Sequence, residues 1–509
     1  TNGGLVTENW FDLNASRYTP SSTLQRMELL KTGYMGTLRL GWDNYLFLEL
    51  TGRQERSSTL KDQSFFYPST NLSFLFTQAF HMPSWWNYGK LRLSYGIVGN
   101  APETYTANIV YEQGSDNGFT WNTIPSSWGN ADIRPEKKYE YEIGLESKFL
   151  NNRLGIDVSY YNNRVKDQIL STPQPSTSGV KNVLMNVGEV ANRGWDISIS
   201  ATPILTRDFR WDLTANYGVY KNKVVKLADG VPYLEILNSG GSGIKIQAVE
   251  GQPMGDIYAQ VPQVNENGEY LVSDKGLYLN QTELQKVGNI NPAGVGGLFN
   301  SFSYKNVFLD FSIDFRIGGD VINEMNQYAT AVGLTPESLK YRDTEHGGLS
   351  YYYPGDNNSS GIPVQVDPST GAGPNGEIIY HDGIILPGVV ASTGERNTRI
   401  IPAGYYYNTT YNWGTEAEQL TYRHSVFDNS YVKLRELTIG YQFPEKMISK
   451  LGLGRLSVSV FGRNLFYLYK ALKNYDAESS VGTSWANQAT VGSSTTATRS
   501  FGVSLRASF

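Results

Sequence analysis

The sequence predicts an all-β fold, a transmembrane antiparallel β-barrel whose strands alternate apolar and polar side chains. Three observations carry that prediction. The 509 residues include 35 Tyr, 21 Phe, 10 Trp and 52 Gly, yet only 40% are hydrophobic, and mean hydropathy is -0.37. Barrel strands show only alternate residues to lipid, so low average hydropathy and many aromatics go together. Alternation with a period of two recurs in segments close to a tilted membrane strand, about 9–11 residues. The links between those segments are short and long by turns.

About fourteen strands follow from the pattern, at roughly 8–15, 24–42, 45–56, 71–77, 90–98, 139–149, 153–164, 194–203, 209–220, 297–305, 307–318, 431–443, 454–466 and 500–509. Tyr139, Tyr141, Ile143 and Leu145 alternate with Glu140, Glu142, Gly144 and Glu146. Such a strand needs an apolar medium on one side only. Leu154, Ile156, Val158 and Tyr160 repeat the pattern, as do Trp211, Leu213, Ala215, Tyr217 and Val219. Leu309, Phe311, Ile313, Phe315 and Ile317 do so again, followed by Leu437, Ile439, Tyr441 and Phe443.

Short links fall at Asp43–Asn44, Gln78–Gly89, Leu150–Asn152, Ile204–Asp208, Asn306 and Pro444–Gly454. Long excursions fall at about 99–138, 165–193, 221–296, 319–430 and 467–499. Outer-membrane barrels join strands by short periplasmic turns and long extracellular loops, so the two classes lie on opposite sides. Phe501, Val503, Leu505, Ala507 and Phe509 alternate down to a terminal aromatic, which resembles the last-strand signal of outer-membrane insertion. A soluble sandwich, propeller or solenoid also alternates, but no fixed repeat period is present. The whole chain, 1–509, reads as part of one barrel domain with long loops.

No stretch offers the roughly 20 apolar residues of a spanning helix. With no Cys, thiol catalysis, disulfides and thiolate metal sites are excluded. A net charge of -5, from 43 Lys+Arg against 48 Asp+Glu, lacks the basic surplus of nucleic-acid binding.

Several blocks resemble the SusC/RagA family of TonB-dependent outer-membrane transporters from Bacteroidetes. They include Tyr45-Leu46-Phe47-Leu48-Glu49-Leu50-Thr51-Gly52-Arg53, Phe66-Tyr67-Pro68-Ser69, Gly89-Lys90-Leu91-Arg92-Leu93-Ser94-Tyr95-Gly96 and Arg134-Pro135-Glu136. Leu150-Asn151-Asn152-Arg153-Leu154-Gly155, Asn186-Val187-Gly188-Glu189-Val190-Ala191-Asn192-Arg193-Gly194 and Tyr431-Val432-Lys433-Leu434-Arg435-Glu436-Leu437 follow. Gly462-Arg463-Asn464-Leu465 and Asp476-Ala477-Glu478-Ser479 end the series. The resemblance implies a 22-stranded barrel around an N-terminal plug domain with a segment that binds TonB. No plug-like region is visible, so it implies the C-terminal barrel portion, with about eight further strands upstream. It also implies a SusD-like lipoprotein partner, outer-membrane lipid around the wall, and an oligosaccharide or oligopeptide as the ligand.

Candidate chemistry is sparse. His81, His346, His381 and His424 lie far apart, without metalloprotease spacing, and read as loop or rim residues. Asn238–Gly243 is Gly-rich but lacks the phosphate-binding Gly-Lys-Ser/Thr ending. Asn265–Glu269 and Asp356–Asn358 hint at calcium, but the twelfth position from Asn265 is Gly276, and a hairpin turn explains the first segment better. No metal, cofactor or catalytic residue is expected. Glu140, Glu142, Glu146, Asp310, Asp314 and Arg316 alternate with lipid-facing residues and are expected to face the lumen, where a wetted wall explains them better than a carboxylate active site. Ligand contact is expected among the loop aromatics Trp121, Trp128, Tyr351, Tyr352, Tyr353, Tyr405, Tyr406, Tyr407, Trp413 and Trp485, whose rings otherwise anchor loops to one another. The reading is a nutrient importer that is not an enzyme. A passive porin is the alternative, and an outer-membrane protease or lipase a further one, needing a nucleophile–base pair that the sequence does not display.

Overall fold

The computed structural model describes residues 4–508, apart from 13–14, 18–25, 62–63, 117–118, 240–242, 356–358, 360, 413–420, 481, 483 and 493–496. Thirteen strands form one sheet in strict chain order. They are β1 Lys31–Trp42, β2 Leu46–Ser57, β3 Ser64–Phe74, β4 Trp86–Asn100, β5 Glu136–Phe149, β6 Leu154–Lys166 and β7 Glu189–Leu205. β8 Phe209–Lys226, β9 Gly294–Tyr304, β10 Val307–Ile317, β11 Tyr431–Gln442, β12 Arg455–Lys470 and β13 Ser500–Ser508 complete the sheet. Every neighbouring pair is antiparallel, and β1 and β13 are the two ends of the order.

Three predicted strands need correction. The strand predicted at 24–42 starts at Lys31, and the described residues 26–30 are not part of it. The described residues of 8–15 form no strand: Asn9 takes a left-handed φ of 62°, and Leu5 bridges Ser16. The strand predicted at 71–77 runs from Ser64 to Phe74. Pro68 hid its first half, since proline cannot donate to a ladder. Here β3 pairs with β4 only from Ser69 onward, so Pro68 has β2 as its single neighbour and its missing N–H costs nothing.

The sheet has two chemically different faces, and the register fixes them. One row across seven neighbouring pairings reads Arg92, Gly144, Ser159, Asp196, Gly218, Val295, Arg316 and Tyr431. On the other face Leu145, Val158, Ile197 and Tyr217 follow one another. Val458 with Leu505 and Val460 with Val503 continue the apolar face to the last strand. Ile143, Ile439, Val460 and Val503 are exposed, at 47%, 53%, 57% and 71%. Exposed apolar rows of that extent are what lipid covers, not water.

Aromatic side chains gather near the short links. Trp86 packs on Phe149 at 5.4 Å, Trp211 stacks on Phe302 at 5.5 Å, and Tyr441 meets Phe443 edge-on at 5.2 Å. Farther from the short links, Tyr160 and Trp195 meet at 4.9 Å and Tyr217 and Phe315 at 6.1 Å. Trp211 and Tyr217 lie six residues apart on β8, roughly 20 Å at strand rise, close to the apolar band height of an outer-membrane barrel. Asn300, buried beside these rings, accepts from the Trp211 indole at 3.1 Å.

The short links turn on left-handed residues, Asp43 and Asn44 at φ 47° and 59° in the first, which suits a tight hairpin. The long loops are folded rather than loose. Ile244, Ile246, Ile257 and Ile290 of loop 227–293 share one core with Ile322 and Val426 of loop 318–430 and Ala486 and Ala489 of loop 471–499. The pairing of Leu271–Val272 with Val389–Val390 joins the first two loops again. Loops 101–135 and 167–188 meet separately over Ala107, Ile133, Ile169 and Leu184, beside Leu60 and Phe65.

Candidate functional site

Two places carry concentrated polar chemistry: the charged face of the wall and the loop head at its long-loop end. On the wall, Arg92 donates to Asp157 at 2.6 Å and lies 3.5 Å from Glu146. Glu140 pairs with Lys138 at 2.6 Å and accepts from Asn163 at 3.0 Å. Asp310 accepts from Ser301 at 2.6 Å, and Arg316 donates to the Ile290 carbonyl at 3.0 Å. Glu142 sits on the same face, opposite Ser94 and Tyr161. Arg92, Asp157, Asp196, Asn216, Asp314 and Arg316 line a shallow basin of roughly 680 Å3 on this wall.

Asp314 belongs to a tighter arrangement. The register between β10 and β11 slips at Ser312/Ile313, so Arg435 is an extra residue on β11. A bulge re-aims such a side chain. Arg435 therefore reaches Asp314 at 2.6 Å through Nε and grips Glu478 of loop 471–499 with both terminal nitrogens, at 2.9 and 2.6 Å. Lys433, only 2% exposed, adds a third donor to Glu478 at 2.6 Å. Burial pushes the Glu478 carboxyl up, but the hydrogen bonds from Arg435 and Lys433 outweigh it and hold the group down to about 2. The last loop is thereby tied to the inner wall. Alternation predicts Asp314 as lumen-facing but not its tie through Arg435 to Glu478, because the bulge that joins them leaves no mark in the alternation.

The loop aromatics divide by burial. Tyr351, Tyr352 and Tyr353 are 1%, 9% and 7% exposed. Tyr351 stacks on Tyr380 at 5.5 Å and donates its hydroxyl to Asp382 at 3.1 Å. Tyr407, at 4% exposure, donates to the Glu337 carbonyl at 2.9 Å from helix α1, Ala403–Tyr411. Tyr405 and Tyr406 on the same helix are half-buried. Trp128 meets Tyr111 edge-on at 5.9 Å. Trp121 stands on an exposed hairpin, Trp485 is 38% exposed, and Trp413 lies outside the described residues. Tyr353 and Tyr405, from two separate tyrosine runs, come together in one hollow with Arg399, while Trp121, Trp128 and Trp485 lie elsewhere.

His424 stacks on Tyr411 with ring centres 4.4 Å apart, and burial, helped by Arg423, pushes its pKa down to about 4. Asn265 receives the Asn267 and Glu269 N–H groups at 3.0 and 2.9 Å, which is hairpin chemistry. Among the described residues no group of three His, Asp or Glu is arranged to hold a metal ion. Among the described residues one serine–histidine contact is found, Ser350 Oγ to His381 Nδ1 at 2.8 Å. Ser350 is 2% exposed, so its hydroxyl has no approach for a substrate.

The family model described as "TonB dependent receptor-like, beta-barrel" matches residues 7–257. TonB-dependent receptor P3 of Formosa agariphila is 25% identical over 491 residues, covering 88% of this chain and 42% of the relative. TonB-dependent receptor SusC of Bacteroides thetaiotaomicron is 30% identical over 247 residues, covering 45% of this chain and 24% of its own length. Among solved structures the RagAB peptide transporter superposes with a TM-score of 0.65 at 18% identity, over 92% of this chain and 48% of that one. This chain thus spans less than half the length of these relatives. The chain is therefore an outer-membrane β-barrel chain similar to the TonB-dependent receptors, SusC among them, and it shares its fold with the RagAB transporter.

Proposed function

We propose that this chain forms the wall and the extracellular head of an importer for a bulky nutrient, an oligosaccharide or an oligopeptide, with no catalysis of its own. The observation that carries the reading is the shared core of loops 227–293, 318–430 and 471–499, which makes a built head over a charged wall. A passive pore has no need of such a head. In this reading a SusD-like surface lipoprotein closes over the head, and TonB-linked energy coupling comes from segments other than those described above. RagAB is named as a peptide transporter, which keeps peptides among the substrates considered.

The test is uptake by cells that carry or lack the full-length gene, fed labelled oligosaccharide or oligopeptide, with and without an uncoupler. Uptake that needs both the protein and the proton-motive force supports the reading. Uptake that persists with the uncoupler, in proportion to external concentration, supports a porin instead. Purification from outer membranes is expected to bring a second, lipidated chain. For the enzyme alternative, ester or peptide hydrolysis that disappears in Ser350→Ala would overturn the non-catalytic reading.

A further inference from the structure

Arg399 lies in a hollow of roughly 420 Å3 in the loop head, lined also by Lys275, Tyr353, Ser359, Pro402 and Tyr405. A hollow of that size, part aromatic and part cationic, is of the kind that takes one or two rings of a small ligand. The arginine is held from two sides. Its backbone N–H donates to Asn397 Oδ1 at 3.0 Å, and Asn397, 3% exposed, is itself fixed through Nδ2 to the Leu386 carbonyl at 2.8 Å. Its stem lies against Gly276, where an added Cβ would stand 3.4 Å from Arg399 Cγ and 3.6 Å from its Cβ. Gly276 has φ +86°, so both the turn and the close approach favour glycine there.

The guanidinium itself is not spent. Among the described residues no Asp or Glu makes an ion pair with Arg399, whereas Arg435 at the foot of the head is held by two carboxylates. A surface arginine without a partner is ordinarily just solvated. This one differs because its backbone and stem are fixed while its head group shares a hollow with two tyrosines. A planar guanidinium in such a setting matches a carboxylate with two parallel hydrogen bonds.

The walls narrow the class of ligand. The ring of Tyr353 is fixed edge-on against Tyr351 at 5.5 Å and Tyr380 at 5.9 Å, and Tyr405 is carried on helix α1. Rigid phenol rings offer flat faces for sugar rings. Peptide backbone would bring an N–H at every residue, and among the described residues of the lining no side-chain carboxylate or amide accepts it. Sugar hydroxyls can both donate and accept, so hydroxyl and phenol groups suit them.

The geometry points to a subsite for a carboxylate-bearing sugar unit, with Arg399 binding the carboxylate and Tyr353 and Tyr405 flanking the ring. It rests on the importer reading, since it names the substrate class of the same head. The test is calorimetric titration of the full-length protein in lipid nanodiscs with trigalacturonate, maltotriose and triglutamate. Trigalacturonate is expected to bind, and Arg399→Gln to weaken it at least about tenfold, as loss of a charged hydrogen-bonding pair does. Tyr405→Ala should weaken it several-fold, and maltotriose should bind at least about tenfold more weakly than trigalacturonate. Unchanged trigalacturonate affinity in Arg399→Gln, or maltotriose binding as tightly, overturns the subsite. Arg399-dependent binding of triglutamate alone overturns the sugar class. If Arg399→Gln does not fold, the unaltered protein decides. Trigalacturonate affinity must then fall as salt rises from about 0.05 to about 0.5 M while any maltotriose binding does not, and a flat response overturns the proposal. A protein that binds trigalacturonate but imports nothing leaves the subsite standing and overturns the importer reading. One that imports neutral nutrient and ignores trigalacturonate does the reverse.

Discussion

In the wall, a side chain's surroundings follow from its parity. In the head they follow from contacts made across tens to hundreds of residues. On β10, Leu309, Phe311 and Ile313 face one way and Asp310, Ser312 and Asp314 the other, and each keeps its face across both neighbouring strands. The core of the head instead collects Ile246, Ile322, Val426 and Ala489 from three loops, with no period to announce them. A pleated strand between two media is written locally, whereas a loop core is written only in the closed contacts. The same contrast sets where a substitution acts: wall changes are judged by their medium, head changes by the packing they interrupt.

The largest expected effect tests whether the head is one unit. Ile322 is fully buried, and Ile322→Ala should cost about 2–5 kcal/mol as a core truncation. Limited proteolysis should then cut loops 227–293, 318–430 and 471–499 faster together. Faster cutting of 318–430 alone would mean that the loops fold separately. Next comes Ile313→Arg on the outer face, at about 2–4 kcal/mol if near the bilayer midplane. Asp314→Asn one residue along should be milder, read as folded barrel on heat-modifiability gels. Equal losses would break the two-medium account of the wall.

A third prediction concerns pH in the head. The folded pKa of His424, about 4, lies below its ordinary 6.5. Its contribution is therefore complete above pH 6.5 and is lost as pH falls from 6.5 towards 4, on the order of 2 kcal/mol after allowing for partial exposure. His424→Phe should keep the stack on Tyr411 and flatten that slope in a thermal-melt series. The smallest effect is at the seam between the regions. Arg435→Met removes the donors to Asp314 and Glu478 at about 1–2 kcal/mol, since both carboxylates are partly exposed. Only loop 471–499 should loosen. In the unaltered protein the Glu478 tie should hold above pH 4.5 and weaken as pH falls towards 2.

The legible parts of this molecule are those with a short period. Alternation places the strands of the sheet in the right order, but β1 begins at Lys31 rather than 24, β8 runs on to Lys226 rather than 220, and β3 was shortened in expectation by Pro68, whose single-neighbour setting is invisible in sequence. Asn9 ended a segment that alternates well enough to pass for a strand. In the head, aromatic runs were visible as residues but not as partners. Tyr351 and Tyr407 turned inward to donate hydrogen bonds, while Tyr353 and Tyr405 converged on Arg399, which no motif marks. Arg435 and Glu478 were likewise present in recognised blocks, but a one-residue bulge and a folded loop were needed to join them.

The account rests most directly on the two faces of the wall, and the absence of Cys lets single cysteines report on them without background. Spin labels placed in turn at Ser457, Val458, Ser459, Val460 and Phe461 of β12, in a lipid-reconstituted barrel, can be read for collision with oxygen and with a water-soluble nickel chelate. The register predicts that Val458 and Val460 favour oxygen and that Ser457, Ser459 and Phe461 favour the chelate, a strict alternation of period two. Accessibilities that rise and fall together, or a reversed alternation, would contradict a wall with lipid on one side and a polar interior on the other.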